Sequence, residues 1–135
     1  MSMIDKNNLI VIYGKAGSFK SSLGVSILNN YDNTCYIDLD NNKHIKLNDN
    51  IEVFNKVDGI NFIKKCINDY SVILIDYIDL LEINKDELLE LKELVKNENK
   101  TLIIISCCST NKELTNNEHY KELKEIADLM ILTDR

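Results

Sequence analysis

The chain has 135 residues, 44% hydrophobic and 28% charged, a globular composition long enough to bury a sizeable core. Its net charge of −6 argues against a broad, non-specific nucleic-acid surface, which works by neutralising phosphates with Lys and Arg. No apolar run approaches the ~20 residues of a membrane span, and the opening MSMIDKNN lacks the apolar stretch of a secretory signal, so one cytoplasmic domain over residues 1–135 is expected.

No proline, repeat or linker-like stretch interrupts the chain, and short apolar runs alternate with helical patterns. That alternation is the mark of a parallel sheet built from βαβ units. The first predicted strand, residues 9–13, leads into GKAGSFKSS and a helix from Lys20 to about residue 29. A second strand over 35–39 ends in the acids Asp38 and Asp40, and residues 51–54 can add a short edge strand. A helix over 59–69 precedes the strand 72–75, which ends at Asp76. The clearest helix is 85–99, where Leu88, Leu91 and Val95 share a face and Asn84 with Glu87 fits a capping box. A strand over 102–105 leads to Ser106 and Cys107, a last helix ends near residue 127, and a strand over 129–132 closes the series. The strands are rich in Ile, Leu and Val without alternation, as strands covered on both faces are. The expected fold is therefore a doubly wound α/β domain whose ligand lies beyond the carboxyl ends of a mostly parallel, five-stranded sheet.

GKAGSFKSS meets three of the four fixed positions of G-x-x-x-x-G-K-[ST], in the required setting of a strand followed by a helix. Such a loop wraps a phosphate in backbone N–H groups, here those of Gly14, Lys15, Ala16, Gly17, Ser18, Phe19, Lys20, Ser21 and Ser22, and the helix N-terminus adds partial positive charge. Lys20 would reach the β- and γ-phosphates, and the Ser21 hydroxyl would ligate Mg²⁺. Phe19 occupies the place of the second fixed glycine. It supplies the same amide if its backbone angles are reachable and its ring turns out of the pocket.

Asp76 is a carboxylate at the end of a buried strand, costly there unless paired or close to a metal. It is the natural holder of Mg²⁺ or its water, with Ser21 opposite. Asp40 is read as the acid that polarises a water attacking the γ-phosphate, and Ser106 as a polar group sensing that phosphate. The four cysteines form no C-x-x-C pair and stand apart from His44 and His119, so buried reduced thiols are expected rather than a zinc site.

Taken in order, these segments resemble the core of the RecA/DnaB-type ATPases. GKAGSFKSS looks like their phosphate loop in its G-S-x-K-S form, and CYIDLD is similar to the strand carrying the family's catalytic glutamate, which falls on Asp40. ILIDYIDLLE resembles the segment whose acid is Asp76, LKELVKNENKTLIIIS the approach to the polar sensor, and IADLMILTDR the final strand. The resemblance implies a three-layer, RecA-like P-loop NTPase that binds ATP with Mg²⁺. It also implies slow or partner-activated hydrolysis, in the service of DNA replication, recombination or plasmid and phage functions. Against the pattern, Asp40 is a methylene shorter than glutamate, and Cys107 stands in place of the family's glutamine. Arg135 is the only arginine, so it or a lysine would have to complete a neighbour's site in a homo-oligomer or larger ATPase assembly. Residues 108–124 occupy the place of a DNA-contacting loop, but their mixed Lys and Glu read better as a solvated, salt-bridged helix, so DNA is weakly supported as a partner. Two alternatives stand beside this reading: a non-hydrolysing, nucleotide-binding regulatory module docked on a larger complex, and a ParA/MinD-type ATPase with Lys15 as its signature lysine.

Overall fold

The computed structural model describes residues 8–15, 19–39, 45–81, 83–108 and 118–133. Its centre is a six-stranded sheet of β1 (Leu9–Lys15), β2 (Thr34–Asp38), β3 (Glu52–Phe54), β4 (Val72–Asp76), β5 (Thr101–Cys108) and β6 (Leu129–Thr133). The spatial order is β3-β2-β4-β5-β1-β6, and every pairing is parallel. Helix α1 (Lys20–Leu28) follows β1, α2 (Ile60–Asp69) precedes β4, α3 (Lys85–Asn97) follows β4, and α4 (Glu118–Ile126) precedes β6.

Parity along the strands sorts the core into two sides. Val11, Ile37, Ile73, Ile75 and Ile104 pack with Ile63 and Ile67 of α2, Leu88 and Leu91 of α3, and Leu123 of α4. The residues between them, among them Ile12, Tyr36, Leu74 and Ile105, pack with Val25 and Leu28 of α1. Among the described residues one α-helix thus covers one face and three cover the other, giving the three layers expected of the α/β fold. Both faces are dry, which is why the central strands carry unbroken aliphatic runs.

The sheet has six strands, not five. The sixth is β3, the short edge strand expected over residues 51–54, which pairs with β2 at Glu52, Val53 and Phe54. As an edge strand it leaves Val53 exposed, so its sequence carries little of the apolar signal that marks the central strands. Two strands also outrun their apolar cores. β1 continues to Lys15, placing Gly14 inside the strand, because Tyr13, Gly14 and Lys15 pair with Ser106, Cys107 and Cys108 of β5. Polar residues do not end a strand whose backbone is still matched by a neighbour. On α3 the capping box forms as the spacing suggests, with Asn84 Oδ1 accepting from the Glu87 amide at 2.8 Å and Glu87 Oε1 from the Asn84 amide at 3.1 Å.

Candidate functional site

Helix α1 leaves β1 on one face of the sheet, whereas α4, following β5, lies on the other. β1 and β5 are neighbours, so their connections part over the carboxyl ends of the strands, the crevice where open α/β sheets hold ligands. Gly14 and Lys15 at the end of β1, and Phe19 to Ser22 at the start of α1, lie at that point. Ala16, Gly17 and Ser18, and likewise Asp40, fall outside the described residues.

Phe19 is the N-cap of α1 and adopts the left-handed conformation, φ 62° and ψ 28°. Glycine reaches these angles without cost, which accounts for its usual place before the lysine. Here the aromatic residue takes the same angles and turns its ring outward, 66% exposed. No side chain caps α1 and no acid sits in its first turn, in contrast to α3 with its reciprocal cap and first-turn Asp86 and Glu87.

Lys20 is 3% exposed. Its Nζ donates to the Lys15 carbonyl at 2.6 Å and lies 5.6 Å from the centre of the Tyr77 ring. The ammonium is therefore held at the end of β1, beside the residue that follows Asp76, and not in bulk water.

Asp76 is completely buried at the tip of β4. Ser21 Oγ, from the first turn of α1, donates to its Oδ2, and so does the Tyr36 hydroxyl from β2 at 2.9 Å. By alternation Asp76 shares the α1 side with Val72 and Leu74. Tyr36 is paired with Leu74, two residues earlier on β4, and its hydroxyl reaches the carboxylate diagonally across the sheet. Two hydroxyl donors offset much of the cost of burying this charge.

Asp38 is paired with Asp76 at the end of β2 and is 5% exposed. Alternation places it on the same side as Tyr36 and Asp76. The site thus collects a serine hydroxyl and two neighbouring carboxylates, a hard-oxygen set of the kind Mg²⁺ takes when a phosphate and water supply the remaining ligands. The residues present fit that ion, with Ser21 and Asp76 as the pair the structure brings together. Among the described residues no group of three or more His, Cys, Asp or Glu side chains could hold a metal by itself.

Ser106 is not brought to this cluster. It is fully buried, paired with Tyr13, and by alternation lies on the side of Leu102 and Ile104, away from α1. Cys107, paired with Gly14 and half-buried, takes the position on the α1 side. Cys35 and Cys66 are free and buried, and their hydrogen bond together with burial pushes the Cys35 thiol well above the ordinary thiol range.

Tyr36, Asp38 and Tyr77 belong to the site although the motif does not point to them. The signal for Tyr36 is chemical: a phenol inside an aliphatic, doubly covered strand needs a partner for its hydroxyl, and a neighbouring strand that ends in Asp offers one.

No protein-family model matches this chain, and no curated protein matches it. Among solved structures it is similar to domain III of the replication initiation protein DnaA from Thermotoga maritima, at 18% identity and a TM-score of 0.50. The superposition covers 96% of this chain and 56% of that one, so the chain spans little more than half the length of this neighbour. At this identity the likeness is one of α/β fold alone. No helix among the described residues is long and apolar enough to cross a membrane.

Proposed function

We propose that this chain is an ATP-binding P-loop domain of RecA/DnaB type, acting in the cytoplasm with slow or partner-activated hydrolysis of ATP to ADP and phosphate. The observation that carries this reading is the linkage of Ser21, Asp76 and Tyr36 beside a buried Lys20. A serine and an acid from widely separated segments are joined at the N-terminus of an uncapped helix, where an anion is favoured. In use, Lys20 would exchange its Lys15 carbonyl for the β- and γ-phosphates, and Ser21 and Asp76 would hold Mg²⁺, with Asp38 alongside. The ion would supply charge neutralisation to the phosphates. Asp40 is assigned the orientation of the attacking water. Catalysis of this kind is electrostatic positioning, so losing a part that does not itself grip the phosphates, such as Asp40, lowers rate more than binding.

The fold shared with a domain of a replication initiation protein supports service in replication or related DNA processing, as part of a homo-oligomer or a larger ATPase assembly. Calorimetry with ATP and Mg²⁺ tests the reading directly. Lys20→Ala is expected to abolish ATP binding, whereas Asp40→Asn keeps binding and lowers phosphate release. Wild-type affinity in the alanine variant would end the proposal.

A second reading, a nucleotide-binding module without turnover, is favoured by two features. Ser106 faces away from the site, and the residue that faces it is Cys107, whose thiol is a weak hydrogen-bonding group. Tight ATP binding with no phosphate release at any protein concentration selects this module.

A further inference from the structure

Phe19 combines two features that each carry a cost. It holds a left-handed backbone that glycine would adopt freely, and it leaves a phenyl ring 66% exposed, the most exposed of the large hydrophobic side chains among the described residues. Neither cost is needed to form the loop, since glycine would present the same amide. Phe19 stands directly before Lys20 and Ser21, at the N-terminus of α1.

A nucleotide whose phosphates lie on the first turn of α1 must direct its nucleoside outward. The space beneath, on the α1 side of the sheet, is filled: Tyr36, Leu74 and Ile105 are fully buried, Val25 is 2% exposed and Lys20 3%. The nucleoside is therefore left on the solvent side of the α1 N-terminus, where Phe19 is exposed.

We propose that the Phe19 ring is the nucleobase platform of this site, stacking on the base of a nucleoside triphosphate whose phosphates the neighbouring amides hold. This rests on the phosphate-site reading above. Every base has a π face, so the platform favours nucleotides over bare polyphosphate without selecting one base by hydrogen bonding. A strained aromatic is then retained because it supplies binding that glycine cannot.

The test compares ATP with inorganic tripolyphosphate, both with Mg²⁺, by calorimetry. Phe19→Leu keeps apolar bulk and the same left-handed backbone but removes the π face. The ratio of ATP to tripolyphosphate affinity is expected to fall about tenfold in this variant. Phe19→Trp places a lone indole in a chain without tryptophan, and its emission is expected to be quenched by ATP and not by tripolyphosphate. An unchanged ratio in Phe19→Leu, or equal indole responses to the two ligands, overturns the stacking while leaving the phosphate site intact. Should Phe19→Leu fail to fold, the indole response and the wild-type ratio still decide, since equal wild-type affinities also overturn it. Wild-type protein that binds neither ligand removes the nucleotide reading itself, and the platform with it.

Discussion

Tyr36 and Asp76 are both fully buried, and the phenol is one of two hydroxyls that donate to the same carboxylate oxygen. This fixes the rotation of the acid relative to Ser21 and makes the pair a preformed hard-oxygen site. Tyr36→Phe keeps the ring and removes only the hydroxyl. It is expected to cost about 1–3 kcal/mol of stability, because the carboxylate loses a buried partner. ATP affinity should fall several-fold in the presence of Mg²⁺ and stay near wild type in EDTA. Calorimetry in the two buffers checks this, and an equal loss in both would make Tyr36 a packing residue only. The sequence revealed Asp76 and Ser21 because each stands at a motif position or strand end. Tyr36 was hidden since its role depends on which strand lies beside β2, and side-chain type alone does not encode that. Phe19 was visible as a departure, but whether its ring enters or leaves the pocket depends on one backbone angle.

At the scale of elements, α1 and α3 follow opposite rules. α3 is specified locally, its start sealed by the Asn84–Glu87 box and its buried face set by Leu88, Leu91 and Val95, so its sequence reads clearly. α1 has no cap and no acid at its start, and its position comes from close approach to the sheet. A Cβ on Gly24 would stand 3.0 Å from both methyls of Leu74 and 3.3 Å from Ile105 Cδ1. The absence of a side chain at Gly24 lets the helix lean this closely on β4, and that lean carries Ser21 to Asp76. Gly24→Val is expected to push α1 outward, with about 1–3 kcal/mol lost to overpacking and a matching fall in ATP affinity. Gly24→Ala should do much less. Its methyl meets only the flexible ends of Leu74 and Ile105, and better helix propensity returns up to about 1 kcal/mol. Urea unfolding and ATP titration of both variants measure this; equal effects of the two would mean that the approach does not set the site.

The whole molecule separates chemistry from anchoring. The composition of the central strands announces a parallel, doubly covered sheet, but the order β3-β2-β4-β5-β1-β6 follows from crossovers between segments far apart in sequence. Strand β1, which leads into GKAGSFKSS, and strand β4, which ends in Asp76, are not neighbours; β5 lies between them, and α1 spans the gap. At the opposite end of β1, Asp128 closes the sheet. Its Oδ2 accepts the amides of Asn8 and Leu9 at 3.0 and 2.9 Å just before β6 begins, and Lys92 of α3 stands 3.6 Å from its Oδ1. Asp128 precedes β6 in the IADLM segment, where spacing alone gives no hint that it grips the first strand. Two amides on one ionised oxygen hold the start of β1 against β6, and the partly exposed lysine adds little. Asp128→Ala is expected to cost about 2–3 kcal/mol, seen as a lower urea midpoint with an unchanged slope. Because the clasp lies at the far end of β1 from Lys20 and Ser21, the ATP affinity of the folded variant should equal that of wild type. A loss of affinity without a loss of stability would show that the two ends of β1 are coupled, and that Asp128 helps to position the phosphate loop.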